Sequence, residues 1–325
     1  MRVHTPCRGF SLVELLVALA ITLVVLAGIG RVFIATGHSY RLQDSLARLQ
    51  ENARYALETL ATDLRRTGYR GGITDLHRIE DHTPDGLARG RRMARDDGSC
   101  SGPDWALMLE YRVFGKDDTR RNYPCLAADK TPRGDILVVR YMAPWQVGGT
   151  TTPVFQPRQY YLRSSVFAGR LFRGAEQASH AVTGTPVRVA ELVAHAYYIH
   201  TAPGAGCAQP GTVPALYRTA LANGRLVAGE IARGVEQLQV QYGIDANADG
   251  SVDRYIDAPP AGDTLAWRSV VAVRFWILLR SECAETGYTD TGSYRLGNIS
   301  LTPADGYRRQ LYSHTVYLRN PGPPP

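Results

Sequence analysis

One acidic side chain near the start of the chain interrupts a run of apolar residues. Glu14 is the only charged residue within residues 10–30. An acid at the centre of a membrane helix costs about 2.5–3.5 kcal/mol, so such a residue is a functional hypothesis whose partner must be named. The partner we propose is an α-amino group, which a cut between Gly9 and Phe10 would create. Gly9, Phe10 and Glu14 are therefore the first candidate functional residues.

A second constellation has the spacing of a calcium loop. Asp245, Asn247, Asp249 and Asp253 occupy positions 1, 3, 5 and 9 of the stretch DANADGSVD, with glycine at position 6. Calcium prefers such alternating oxygen ligands, but the glutamate at position 12 of an EF-hand loop is missing here. A turn rich in Asp, Asn and Gly forms without any metal. The sequence leaves both interpretations open, a weak calcium site and a metal-free turn.

The cysteines indicate an oxidising compartment. Of the five, Cys7 lies in the N-terminal leader, which leaves Cys100, Cys125, Cys207 and Cys283. An even number in loop-rich surroundings suits disulfides, and four cysteines allow three pairings. Proximity in sequence favours Cys100 with Cys125 and Cys207 with Cys283. No C-x-x-C or His/Cys spacing indicates zinc.

Other patterns that could carry chemistry are absent from the sequence. There is no G-x-S-x-G, H-E-x-x-H or phosphate-binding glycine loop. His195 and His200 lie in a strand-like run and are interpreted as structural. The net charge of +7 is diffuse except for arginines within residues 89–95. A solvated loop explains them better than a nucleic-acid site does, so we expect neither an enzyme nor a DNA-binding protein.

The apolar run has the length of a membrane span. As a helix, residues 10–30 would extend roughly 32 Å, which matches the hydrocarbon core of a bilayer. Arg2 and Arg8 precede the run, and the positive-inside rule then favours a cytoplasmic N-terminus. A secretory signal would instead show a small-residue cleavage site after the run. Residues 27–30 fit such a site loosely and leave Glu14 unexplained.

The short basic leader, Gly9, Phe10 and Glu14 together resemble the class III signal of type IV prepilins and pseudopilins. The resemblance implies that a prepilin peptidase cuts after Gly9 and N-methylates Phe10, while the apolar segment stays in the mature protein. It also implies that Glu14 meets the amino terminus of a neighbouring subunit. An unpaired buried charge costs several kcal/mol, so this pairing would favour one register between helices.

The helix is predicted to continue beyond the apolar run as an amphipathic half. Arg65 and Arg66 followed by Gly68 are typical of a helix end near Thr67. Charged residues fill the face opposite an apolar stripe, and such a stripe predicts packing against one face of a globular domain. The stripe has members three or four residues apart: Leu42, Leu46, Leu49, Ala53, Leu57, Leu60 and Leu64.

Residues 40–71 resemble the PilW family of minor pilins. The likeness lies chiefly in the runs LQENAR, at residues 49–54, and GYRG, at residues 68–71. It implies a minor pilin that takes part in type IV pilus assembly, in a priming or tip subcomplex. The implied partners are other minor pilins, the major pilin, the inner-membrane assembly platform, prepilin peptidase and a tip adhesin. Pilus functions such as cell adhesion and twitching motility would follow.

The remainder of the chain predicts antiparallel sheet. Gly, Pro and Asp clusters separate short β-rich runs, and residues 73–103 are expected to form an irregular connection. The fold class is therefore α+β and type IV pilin-like, with a long N-terminal helix packed on antiparallel sheet. The candidate strands are Trp105–Phe114, Asp135–Tyr141, Gln159–Arg163, Arg170–Arg173, Leu192–His200, Leu216–Leu221, Val235–Tyr242, Ser269–Arg280 and Gln310–Leu318.

The expected organisation has five parts. A leader, residues 1–9, precedes the transmembrane or assembly half of the helix, residues 10–30, and the amphipathic half, residues 31–67. A periplasmic or extracellular β-rich domain at 68–320 and a disordered tail at 321–325 follow. We expect a single-pass inner-membrane protein that is also assembled into a surface pilus. A minor pseudopilin of a type II secretion system is the alternative, since it shares the same signal.

Overall fold

A computed structural model describes residues 11–82, 104–109, 111–118, 134–145, 154–179, 184–204, 207, 211–260 and 263–320. The first of two compact units ends at Arg48, and the second begins at Leu49. One long helix starts the chain and strands dominate the rest, which confirms the predicted α+β class. The predicted tail at 321–325 lies outside the described residues.

Helix α1 is Leu12–Arg66, a continuous helix of 55 residues. Within the second unit it buries one face, as the apolar stripe predicts, with Leu60 and Leu64 fully covered. The helix ends one residue before the predicted position. Gly68 follows with a φ of +79°, a left-handed conformation that glycine adopts without strain. Its N–H donates to the carbonyl of Arg140, 2.9 Å away, which turns the chain onto the sheet.

The larger sheet has eight strands. Its central strand, β6, is 16 residues long and pairs with β3 along one edge; along the other it pairs first with β4 and then with β7. The order is β1-β5-β4-β6-β3-β2, and β8 extends the sheet beyond β7. Only β1 with β5 is parallel among the described pairings. The strands are β1 Ile79–His82, β2 Val113–Lys116, β3 Ile136–Met142, β4 Tyr160–Ser164, β5 Gly169–Arg173, β6 Arg188–Pro203, β7 Thr212–Ala222 and β8 Arg225–Arg233.

A second, four-stranded antiparallel sheet has the order β10-β9-β11-β14, and a separate hairpin joins β12 to β13. The strands are β9 Val235–Ile244, β10 Arg254–Ile256, β11 Val270–Arg280, β12 Tyr294–Leu296, β13 Ile299–Leu301 and β14 Arg309–Tyr317. A five-residue helix, α2 Thr264–Arg268, precedes β11. Three 3-10 turns, Leu76–Arg78, Asp104–Leu107 and Gly174–Ser179, complete the elements.

Asp135 joins the two sheets just before β3. Its N–H donates to the carbonyl of Leu238, 2.9 Å away, and its Oδ2 accepts from the N–H of Val240 at 2.6 Å. The backbone N–H and the side chain of Asp135 thus form a pair of hydrogen bonds to β9, much as a residue of a neighbouring strand would. Between the sheets lies an aromatic core in which Trp267 packs 4.8 Å from Phe114 and 4.9 Å from Tyr242, measured between ring centroids.

Two of the predicted segments were wrong. Trp105–Phe114 is not one strand, because its first part is the 3-10 turn Asp104–Leu107 and β2 begins only at Val113. Trp105 is 1% exposed and its neighbours are buried as well. The segment is therefore apolar because it is buried on all sides, and not because inward and outward side chains alternate along a strand. The connection at 73–103 contains a 3-10 turn and strand β1. The other eight predicted strands match observed ones within a few residues.

Candidate functional site: the apolar helix and the Asp63 cluster

Glu14 closes the first turn of its own helix. The N–H of Ser11 donates to Glu14 Oε2 at 2.9 Å, and the N–H of Glu14 donates to Ser11 Oγ at 3.2 Å. This reciprocal pair is a capping box, which satisfies two N–H groups that the helix start leaves free. The S-x-x-E spacing of residues 11–14 is its sequence signal, and sequence reasoning missed it. Gly9 and Phe10 lie outside the described residues.

The apolar half of α1 is exposed on all sides within the first unit. Leu12–Phe33 is long and apolar enough to cross a membrane, and none of its 22 residues is buried. Leu12 is 74% exposed and Phe33 is 80% exposed. A contiguous apolar surface of this kind needs lipid or other helices to cover it. The candidate span reaches three residues beyond the predicted end at Gly30 and so includes Arg31, whose long side chain can extend to a membrane surface.

In the second unit, a buried carboxylate fastens α1 to the large sheet. Asp63 Oδ1 accepts from the hydroxyl of Tyr141 at 2.7 Å. Its Oδ2 contacts His195 Nδ1 and accepts from the hydroxyl of Tyr197, both at 2.5 Å. Tyr141 comes from β3, whereas His195 and Tyr197 come from β6. The side chain of Asp63 is 8% exposed, so nearly all its hydrogen bonding comes from these three donors.

The surroundings of Asp63 keep it charged. Burial alone raises the pKa of the carboxyl, but the hydrogen bond and charge of His195, followed by the two tyrosine hydroxyls, hold it below its ordinary value. Burial, and then the Asp63 charge, raise the pKa of Tyr141 and of Tyr197. Both tyrosines therefore remain protonated donors near neutral pH. His195 is part of this cluster, and His200 packs 5.2 Å from the ring of Tyr217.

The C-terminal end of α1 is hydrogen-bonded by Asn320, which lies near the C-terminus of the chain. Asn320 Nδ2 donates to the carbonyls of Arg66 and Thr67, at 3.2 and 3.0 Å. Arg112 donates to the backbone carbonyl of Asn320, and Arg70 donates to that of Leu109. Burial lowers the pKa of each arginine to about 10, so both stay charged at neutral pH. Cations are favourable beside the carbonyl end of a helix.

The candidate calcium loop connects β9 to β10. Asp245 accepts from the N–H groups of Asp249 and Gly250, at 3.2 and 2.8 Å, and Asp253 accepts from that of Ala246 at 2.7 Å. Side-chain and backbone hydrogen bonds from Ser251, with a further bond from Asn247, lower the pKa of Asp249. These contacts account for the loop conformation without an ion. No group of three or more His, Cys, Asp or Glu side chains could hold a metal within the described ranges, and calcium binding stays a prediction.

One of the two proposed cysteine pairs is present. Cys207 and Cys283 form a disulfide, with Cα atoms 5.4 Å apart and a sequence separation of 76 residues. It ties the loop between β6 and β7 to the segment after β11. Cys100, Cys125 and the arginines within residues 89–95 lie outside the described residues.

The C-terminal part of the chain matches a known family. Residues 196–320 match the family model described as type IV pilus-assembly protein W, PilW. Residues 5–30 match the prokaryotic N-terminal methylation motif. The part of the chain that matches PilW therefore follows the part that matches the methylation motif. This confirms the expected resemblance to PilW proteins, although residues 40–71, on which that expectation rested, lie outside the matched range. The PilW match begins within β6 and includes the acidic loop and Cys283.

Two relatives from Thermus thermophilus are similar to parts of the chain. The pilin-like protein PilA3 is 41% identical over 63 residues, which are 19% of this chain and 27% of that protein. The match therefore spans about a quarter of the length of this curated relative. A solved type IV-like pilin superposes with a TM-score of 0.36 at 14% identity, covering 85% of this chain and 98% of that one.

Proposed function

We propose that the protein is a minor pilin with a structural role in type IV pilus assembly, within a priming or tip subcomplex. The observation that carries this proposal is the combination, in one chain, of a methylation motif, an exposed apolar helix and a PilW domain. The motif would direct cleavage and methylation of the N-terminus, and the apolar helix offers a surface that other pilin helices would cover. The PilW match favours a pilus over other filaments.

The proposed topology follows from the charges that flank the apolar helix. Arg2 and Arg8 precede it, which supports an N-terminus in the cytoplasm and a second unit in the periplasm before assembly. The Cys207–Cys283 disulfide supports the same side, because the periplasm is oxidising. The proposed partners are the other minor pilins, the major pilin, the assembly platform, prepilin peptidase and a tip adhesin.

The size of the second unit supports a special position in the fibre. It comprises Leu49–Pro325, several times the length of the helix that would pack in the fibre core. A bulky domain is difficult to repeat at each subunit position of a helical assembly, whereas a subunit at the tip has free space on one side. We therefore place the protein at the start of assembly rather than among the repeating subunits.

Deletion with complementation tests this proposal. We expect the deletion strain to lose surface pili, the native gene to restore them and Glu14→Ala to fail, because the carboxylate is needed to dock the helix. Thr22→Ala is the matched control, since Thr22 lies in the same apolar helix and bonds only to the carbonyl of Ala18 among the described residues. Normal piliation in the deletion strain would overturn the proposal.

A minor pseudopilin of a type II secretion system is the alternative, because the methylation motif fits both. The PilW match is the observation that favours the pilus. Secretion of exoproteins by the same deletion strain separates the two functions: we expect secretion to be normal, and a secretion defect with intact pili would favour the pseudopilin.

A further inference from the structure

Three arginines in and around the four-stranded sheet have their guanidinium carbons over tyrosine rings. Arg280 is 3.8 Å from the ring centroid of Tyr307, and Arg308 is 4.0 Å from that of Tyr288. Arg274 is 3.9 Å from the ring of Tyr255. A guanidinium group in this position is attracted to the face of the ring, and its N–H groups can still donate hydrogen bonds.

Two of these three stacks are completed by a carboxylate. Arg280 pairs with Glu236, at 4.0 Å, and Arg308 pairs with Glu285, with Nη2 3.2 Å from Oε1. Arg274 differs, because no carboxylate of the described residues lies within 4.0 Å of its nitrogens. Its Nε donates to Thr315 Oγ1 at 3.3 Å, which orients the group further without neutralising it. Asp257, on the adjoining strand segment, accepts from Gln241 instead, at 3.1 Å.

The surface around Arg274 is polar and aromatic. In the register of the sheet, Arg274 pairs with Thr315, Trp276 with Ser313 and Ala272 with Tyr317, so these side chains share one face. The opposite face of the same strands carries Phe275 and packs in the core. Tyr317 is 61% exposed, and the side chains of Ser313 and Thr315 are exposed beside it. The outer face thus offers a fixed guanidinium, two hydroxyls and an exposed phenol ring.

We propose that this outer face binds an acidic saccharide through the carboxylate of a uronic-acid-type sugar. Arginine forms two parallel hydrogen bonds to a carboxylate, and Arg274 is already oriented for them. Sugar rings present hydroxyls at their edge and C–H groups on their faces, which suit Thr315, Ser313 and the ring of Tyr317. The site is distinct from the N-terminal assembly segment and does not depend on the proposed function.

Titration of the full-length protein in detergent micelles with tetragalacturonate tests the proposal. We expect saturable binding, which Arg274→Gln weakens about tenfold or more, because a hydrogen-bonded charge pair is lost. Tyr317→Ala should weaken it less, and methyl-esterified tetragalacturonate, which lacks the carboxylates, should not bind. Arg225→Gln is the matched control, because Arg225 is an exposed arginine on β8 of the other sheet.

Several outcomes would overturn the site. No binding by the wild-type protein at millimolar ligand would do so, as would equal binding by Arg274→Gln or by the methyl ester. If a glutamate-rich peptide bound Arg274 as tightly as the saccharide, the face would recognise a protein carboxylate, and the saccharide proposal would be wrong. A melting temperature for Arg274→Gln within a few degrees of the wild type shows that lost binding is not caused by unfolding.

Discussion

Two buried carboxyl groups in the second unit have opposite surroundings. Asp63 is enclosed by hydrogen-bond donors from two strands, and its pKa is held low. Burial raises the pKa of Asp135 to about 8; the N–H groups of Asp118 and Val240 oppose that rise, while the charges of Asp117 and Asp118 add to it. One group therefore folds charged and the other folds protonated near neutral pH. Their effects on stability must have opposite signs as the pH changes.

For Asp63, we expect Asp63→Asn to lower the free energy of unfolding by about 3 kcal/mol at pH 7, because it removes a buried carboxylate that accepts hydrogen bonds from Tyr141 and Tyr197. The folded-state pKa lies below the unfolded value, so this stabilisation is complete above the unfolded pKa and disappears as the pH falls through the folded one. Urea unfolding at pH 7 and pH 3 should show the difference from wild type shrinking. Glu58→Gln, on the exposed side of α1, should change little at either pH. If Asp63→Asn had the same free energy of unfolding as the wild type at pH 7, the Asp63 cluster would not stabilise the packing of α1 on the large sheet.

For Asp135, the folded protein binds a proton that the unfolded chain has already released between about pH 4 and pH 8. Stability contributed by this group should therefore decline as the pH rises through that window. Relative to Asp135→Asn, which cannot titrate, the wild type should lose up to about 1.4 kcal/mol per pH unit. Parallel stability curves for the two proteins from pH 5 to pH 8 would show that Asp135 is charged in the folded state.

Helix α1 is the element that serves both units. Its first half is apolar all round and begins with the Ser11–Glu14 capping box, while its second half ends against the sheet at Arg66. Asn320, from the far end of the described chain, caps the last carbonyls of the helix. The end of the helix is thus held by a residue that follows the whole β-rich region.

We expect Asn320→Ala to lower the free energy of unfolding by about 1 kcal/mol, because two carbonyls at the end of α1 lose their donor. Asn298→Ala is the matched control, since Asn298 is an exposed asparagine whose Nδ2 donates to the carboxylate of Asp117. It should cost a few tenths of a kcal/mol. If thermal or urea unfolding showed equal losses of stability for Asn320→Ala and Asn298→Ala, the hydrogen bonds of Asn320 to the helix end would not stabilise the protein.

The Cys207–Cys283 disulfide encloses a long segment, and its removal should be costly. For a separation of 76 residues, the chain-entropy model gives a loss of about 4.5 kcal/mol. Cys207→Ser, Cys283→Ser and the double variant should lose the same amount, because each breaks the same bond. A double variant that is much less stable than either single variant would show that the two thiols act independently.

The sequence predicted elements well where one face is buried and one is exposed. The stripe of α1 is of this kind, because Leu60 and Leu64 are buried while Glu58 is exposed, and periodicity reports such a difference between two sides. Trp105–Leu107 is buried all round and most of β8 is exposed, so neither has a period to detect. The capping box is local and could have been found. The partners of Asp63 lie 78 to 134 residues away and could not.

At the scale of the whole molecule, one chain contains an apolar helix and a region that matches the PilW family model. The exposed apolar half has no cover within its own unit, and an apolar surface of this kind needs lipid or other helices to cover it. Processing at Gly9 is the step that would release the amine proposed to pair with Glu14. That amine exists only if the mature chain begins at Phe10.

Intact-mass and N-terminal analysis of the protein purified from membranes identifies the first residue of the mature chain directly. We predict a mature chain that begins at Phe10 and carries one methyl group on its α-amino nitrogen. A prepilin-peptidase mutant is the control, and it should accumulate the chain that begins at Met1. Retention of Met1 in the wild-type strain, or a start after Gly28, would contradict a pilin-type assembly segment.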